Sequence, residues 1–172
     1  MNNVIRFNLL KFRTNLLLKS NKSKRANVPY KDAASIGIIF SVEDKIKHET
    51  IKQLIKRFEQ DGKKVQVLEF LPKKKDNYEF RFDFFTEDEL TLWGNINSPD
   101  ALKFADSPFD FLLYLDKTPN PLILHILALS KSKCRVGKSW SDGQPFFELM
   151  IESVGDIKMM SDTMYNYTSQ LR

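Results

Sequence analysis

Residues 35–71, SIGIIFSVEDKIKHETIKQLIKRFEQDGKKVQVLEFL, decide the fold class. Ser35-Ile-Gly-Ile-Ile-Phe40 is a short, continuous apolar run, the pattern of a strand covered on both faces. Ser41-Val-Glu-Asp44 follows and fits a helix N-cap with an acidic partner at the third position, which puts Glu43 and Asp44 in the first helical turn. Ile51, Leu54, Ile55 and Phe58 then recur at helical spacing, while Lys47, Lys52, Lys56 and Glu59 take the other face. Asp61-Gly62 stops the helix, and Val65 to Leu71 returns as a strand. A strand, a helix and a second strand in this order make a β-α-β unit, whose crossover is right-handed and whose strands run parallel.

The rest of the chain continues the alternation. Pro72 to Asn77 is a turn with three lysines, and the aromatic stretch Tyr78 to Phe85 has room for another short strand. Ser98-Pro-Asp100 begins a helix, with Pro99 suited to the first helical position. Phe109-Asp-Phe-Leu-Leu-Tyr-Leu115 is a clear strand; it ends at Asp116-Lys-Thr-Pro-Asn-Pro121, and Leu122 to Leu129 form a nearly all-apolar helix. Cys134-Arg-Val136 reads as a short strand stopped by Gly137, and Pro145 to Ile151 as the last strand. Asp156 to Leu171 is a closing helix, with Ile157, Met160, Met164 and Tyr167 at helical spacing. This order predicts a single three-layer, Rossmann-like α/β domain with a mostly parallel sheet over residues 32–172. A basic amphipathic helix and linker, residues 1–31, precede it.

Length and composition agree with one domain. The chain has 172 residues, 42% of them hydrophobic and 28% charged, with 14 Phe, which excludes general disorder and a fibrous repeat. Such a domain buries roughly 70% of the surface that its unfolded chain exposes. One cysteine rules out an intramolecular disulfide, a Cys-based zinc site within one chain is not expected, and no apolar run reaches the length of a membrane span. The expected location is cytoplasmic. No secretory leader is expected, because charges break the N-terminal apolar segment and no small-residue cleavage site follows it.

Charge is concentrated at one end. Residues 1–31 hold Arg6, Lys11, Arg13, Lys19, Lys22, Lys24, Arg25 and Lys31 and no acid, which is +8; the whole chain is +5, so the remainder is −3. A basic pI carried by one arm is no evidence of a basic face on the domain, and nucleic acid is not an expected partner. In the arm, Val4, Ile5, Phe7, Leu9, Leu10, Phe12, Leu16, Leu17 and Leu18 interleave with the bases. Two readings compete: a helix docked on the body or on a second subunit, and a helix lying on anionic lipid. Arg6, Phe7, Lys11, Phe12 and Arg13 are its candidate contacts with a membrane or partner.

Three stretches resemble an uncharacterised family of small bacterial α/β proteins. They are Asp83-Phe-Phe85 with Leu92-Trp-Gly94, Phe109 to Asp116 with Ala128 to Gly137, and Phe147 to Ile151. That resemblance implies a fold and no activity. The second stretch is also similar to the N-terminal half of the heptosyltransferase-like glycosyltransferases, with Asp116 and Gly137 at the matching positions. Those enzymes bind their nucleotide sugar mainly with a second Rossmann-like domain, and this chain has no residues left to build one.

In an open α/β sheet, ligands bind beyond the carboxyl ends of the strands, near the point where strand order reverses. A dinucleotide site at Ser41 to Asp44 would need a glycine-rich turn; here Glu43 and Asp44 repel phosphate from the helix terminus, so no nucleotide cofactor is expected. Asp116-Lys-Thr-Pro-Asn120 is the better opening. Asn120 can cap the following helix, with Lys117 and Thr118 beside its free amides, and Lys138 stands at another strand end. Asp116 can act as a base or bind a hydroxyl, or, with Asn120, hold the turn through bonds to the backbone.

The other candidates have structural readings. His48 reads as a solvated residue on the lysine-rich face, and His125 as a hydrogen-bonded packing residue. Cys134 reads as a buried small hydrophobe, Trp140 as a cover for the core edge, and Phe80, Phe82, Phe84 and Phe85 near Arg81 as core. No metal-ligand spacing and no catalytic pair is present. The expectation is a non-enzymatic binding or interaction protein that self-associates as a homodimer through the 122–129 helix and the arm. The alternatives are an enzyme or sensor for a small anionic ligand (sugar phosphate or nucleotide) at Asp116, Lys117, Thr118, Asn120 and Lys138, and peripheral membrane association through the arm.

Overall fold

In the computed structural model, which describes residues 3–75, 82–152 and 155–172, the apolar run Ser35–Ser41 is strand β1, central in a six-stranded sheet. The other strands are β2 (Lys64–Phe70), β3 (Asp83–Phe85), β4 (Phe111–Tyr114), β5 (Cys134–Lys138) and β6 (Leu149–Ile151). Their order is β3-β2-β1-β4-β5-β6, and every pairing is parallel. The chain builds outward from β1 to one edge, returns, and builds outward to the other. That is the doubly wound, Rossmann-like arrangement, with its switch point between β1 and β4.

Among the described residues, five α-helices cover the two faces: α1 (Asn3–Ser20), α2 (Lys45–Gln60), α3 (Pro99–Asp106), α4 (Pro121–Leu129) and α5 (Ile157–Ser169). Successive strand residues point to opposite faces, so each strand feeds both cores. Ile36, Ile38 and Phe40 of β1 and Phe111 and Leu113 of β4 pack with Ile51, Leu54 and Phe58 of α2 and Met160 and Met164 of α5. Ile39, Leu112 and Tyr114 pack the other way, with Leu10 of α1, Phe104 of α3 and Ile123 and Leu127 of α4.

Local chemistry starts the helices. Ser98 accepts a bond from the Ala101 amide with Pro99 in the first turn, and Asn120 accepts one from the Leu122 amide with Pro121 in the first turn. The start of α2 differs from the sequence reading. Ser41 is the last residue of β1, and Asp44 itself is the N-cap, accepting from the Lys47 amide at 2.8 Å. Glu43 and Asp44 therefore precede the helix. Two other boundaries differ. Strand β5 runs through Gly137 to Lys138, and Pro145 to Ile151 divides into a 3-10 turn at Gln144–Phe146 and the short β6. Glu148 interrupts that segment because its carboxylate turns back to the Arg135 amide and guanidinium. Of the aromatic stretch, Tyr78, Phe80 and Arg81 lie outside the described residues, and β3 begins at Asp83.

Helix α1 is apolar on two sides. Its inner side seats Leu10, fully buried, and Thr14 against α4, with Phe7, Leu17 and Leu18 at the edge of the same core. The 122–129 helix needs this cover, since its other side already lies on the sheet. The linker is tied down as well. The Asn21 side-chain amide donates to Ala128 O at 2.8 Å and Ser130 O at 3.0 Å, and the Arg25 guanidinium reaches Ser132 O. At the far side of α1, the turn before α3 presses Gly94 onto the helix backbone. A Cβ there would meet Leu10 N at 2.5 Å and Leu9 C at 2.6 Å, and φ is +74°, so glycine is required twice over.

Candidate functional site

The first turn of α2 is pinned from both flanks of β1. Lys47 Nζ lies 2.7 Å from Asp116 Oδ1, just beyond β4, and 2.6 Å from Glu43 Oε1. The next residue turns the opposite way: His48 Nε2 is 3.0 Å from Glu69 Oε2 of β2, with both side chains fully buried. Phe40 meets the imidazole edge-on and Phe82 stacks on it, at 5.5 Å and 6.4 Å between centroids. Lys47 and His48 thus leave the solvated face on which their sequence pattern puts them. The reason is tertiary: this turn sits directly over two strand ends that carry carboxylates, and a buried carboxylate requires a polar partner.

The loop after β4 is bonded to itself and to β1. Asp116 accepts from the Ser41 amide at 2.8 Å and from Ser41 Oγ at 2.6 Å, besides its ion pair. Asn120 accepts from the Leu122 amide at 3.0 Å and donates to Ser41 Oγ at 2.9 Å. The Tyr114 hydroxyl accepts from the Asn120 amide at 2.9 Å, and burial raises its pKa. Above this lattice, at the switch point, lies an open cleft of about 510 Å³ whose walls include Ser41, Glu43, Glu87, Asp116, Thr118 and Asn120, with Phe7 of α1. Lys117 and Lys138 are not among its walls; Lys138 Nζ instead stands 3.4 Å from Lys117 O. Three carboxylates line the cleft, with the buried Lys47 ammonium, Lys75 Nζ at 2.8 Å from Glu43 O and the Arg6 guanidinium at Glu87 O beside them, and Asp44 occupies the helix terminus where this fold seats a pyrophosphate.

The arm residues divide by direction. The Arg6 guanidinium reaches the Leu90 and Glu87 carbonyls, Arg13 Nε donates to Trp93 O at 2.6 Å, and Phe7 packs inward. Phe12 and Lys11 face out. On that outer side Ile5, Phe12 and Leu16 are 49%, 61% and 49% exposed, with Lys19 on the same seam and Val4 at its edge. Beside it stand Leu92 and Trp93, 56% and 72% exposed. Sequence reasoning assigned no role to Trp93. The only signal was its place before Gly94, the residue that lets this turn lie on α1.

The model of a family of unknown function, DUF6913, matches residues 6–171. The chain belongs to this family. No curated protein matches it. The DUF6913 match begins inside α1 and runs past the end of α5, so it spans the docked helix together with the whole sheet.

The remaining candidates of this DUF6913 protein lie apart from the cleft. His125 of α4 is buried, with Nδ1 2.9 Å from Thr14 Oγ1 of α1. Cys134 is buried, and burial together with Glu148 pushes its thiol up to about 11, away from a reactive thiolate. Trp140 packs edge-on against Phe147 at 5.2 Å, closing one end of the core. Phe85 is core, Phe82 is half-buried and Phe84 is 42% exposed, while Phe80 lies outside the described residues. Among the described residues, no group of three His, Cys, Asp or Glu side chains is placed to hold a metal ion. Nor is any described helix long and apolar enough to cross a membrane.

Proposed function

We propose that this chain is a non-enzymatic interaction protein whose docking surface is the outer side of α1 with the Leu92–Trp93 turn, and that the surface it docks on is an anionic membrane. The observation that carries the reading is the second apolar side of α1. Burial against α4 accounts for Leu10, Phe7, Leu17 and Leu18, yet Ile5, Phe12 and Leu16 stay exposed in a helix that has no acid. Exposed apolar side chains of this size, rimmed by charge, mark contact surfaces.

Charge selects the occupant. Lys11, Lys19, Lys22 and Lys24 are exposed along α1 and the linker that follows it, and each basic side chain near an anionic bilayer contributes about 1 kcal/mol. A two-fold dimer across the same face would instead bring two acid-free helices together, each with Arg6, Lys11, Arg13 and Lys19, and like charges repel. Trp93, with its apolar body and polar N–H, suits the headgroup region. A non-enzymatic role is supported at the switch point, where Lys47, Asp116 and Asn120 are already bonded to one another's neighbours. The small anionic ligand has less support, since Glu43, Glu87 and Asp116 line the cleft it would enter.

Flotation with phosphatidylcholine–phosphatidylserine vesicles and with phosphatidylcholine alone tests this. The protein is expected to float with the anionic vesicles only, and Phe12→Asp with Leu16→Asp to abolish flotation without altering the circular dichroism. Absence of flotation, combined with a concentration-dependent dimer that the same double variant dissolves, would assign the face to a second copy and overturn the lipid reading.

A further inference from the structure

We infer that the cavity between α1, α4 and the turn before α3 is a binding site for a small, mainly apolar molecule that donates one hydrogen bond, and that His125 Nε2 accepts it. The site shares Leu16 with the outer side of α1, while His125, on which it turns, lies on the inner side. Its volume is about 280 Å³, near the lower end of ligand pockets, and its walls include Leu16, Leu17, Ile96, Leu102, Leu129 and His125. Apart from His125 and Arg13, its polar walls are the small side chains of Ser20 and Asn95.

The tautomer of His125 follows from a hydrogen count. The Thr14 hydroxyl has one proton and gives it to Leu10 O at 2.8 Å. With that proton placed on Leu10 O, Thr14 Oγ1 accepts in its 2.9 Å contact with His125 Nδ1, and we assign the ring proton to Nδ1. Burial and the nearby Arg13 charge lower the pKa of the ring to about 4, which keeps it neutral. Nε2 is left as a bare acceptor. It has no hydrogen-bond partner among the described residues, and it is not one of the unpartnered polar atoms sealed from solvent, which are Arg6 Nε, Glu69 Oε1 and Thr168 Oγ1. His125 is among the walls of the cavity, and we assign Nε2 as the ring atom that faces it. A buried acceptor among leucines discriminates for a donor, and Arg13 at the rim disfavours a cationic one. Alcohol O–H, phenol O–H and indole N–H groups on an apolar body fit this description.

Indole and its N–H-lacking isostere indene are the probes. Each is titrated into the protein and followed on the side-chain nitrogens of His125 by long-range proton–nitrogen correlation. Indole is expected to shift Nε2 in a saturable manner and to bind about tenfold more tightly than indene. His125→Phe, checked for fold by circular dichroism, should erase the preference. Equal binding of the two probes, no Nε2 shift up to the solubility of indole, or a preference that survives His125→Phe would each overturn the inference. A vesicle-binding failure would leave it standing, and its own failure would leave the membrane reading standing.

Discussion

Lys47 Nζ is held 2.7 Å from Asp116 Oδ1, with the two side chains only 1% and 3% exposed. This pair joins the start of α2 to the end of β4 across the end of β1. It fills with the chain's own charges the place where doubly wound folds bind ligands. Removing one partner of a buried ion pair strands the other charge, which costs about 3–5 kcal/mol. Lys47→Met is therefore expected to lower the urea midpoint sharply, and Lys47→Met with Asp116→Leu to recover much of the loss. A loss below about 1 kcal/mol in the single variant would show that Asp116 is satisfied by Ser41 alone.

Gly94 is the point of closest approach between α1 and the exposed Trp93 turn. Alanine there meets the α1 backbone and must also adopt a left-handed conformation, worth about 1–2 kcal/mol by itself. Gly94→Ala should loosen α1 selectively. Hydrogen exchange is expected to accelerate in α1 and on the α4 face it covers, with α2 and α5 unchanged. Uniform protection across all five helices would contradict the close approach.

Acid should destabilise the fold through His125. Burial and Arg13 lower its pKa from the usual 6.5 to about 4, so the folded chain keeps the ring neutral where the unfolded chain protonates it. The stability this represents is complete above pH 6.5 and is lost as pH falls toward 4, amounting to about 3 kcal/mol over that window. Denaturation of wild type and His125→Gln across that window measures it. The variant is expected to show a flatter profile between pH 6.5 and pH 4, and parallel profiles would remove His125 as the titrating group.

The sheet was legible because its signals are local. The apolar runs at 35–40 and 109–115, and the cap-proline pairs Ser98-Pro99 and Asn120-Pro121, each state their element without tertiary help. Lys47 and His48 were not legible for the opposite reason. A lysine beside a histidine in a charged helix has the pattern of a solvated face, and what turns each inward is a carboxylate 69 or 21 residues away. Asp116 and Asn120 were found as turn-holding residues, but their shared partner Ser41 lies on another strand and leaves no trace in the loop itself. In α1 the apolar residues outnumber those one stripe requires. That excess was visible in the sequence, whereas which of them face outward depends on where α4 lies.

Trp93 fluorescence tests the membrane account most directly. The chain has two tryptophans, so Trp140→Phe leaves Trp93 as the sole reporter on the exposed turn. With anionic vesicles its emission is expected to shift to the blue and to be quenched by brominated acyl chains. Both effects should fade as salt shortens the screening length from about 10 Å at 0.1 M to about 3 Å at 1 M. Emission that stays solvent-like in the presence of anionic vesicles at low ionic strength would contradict the account.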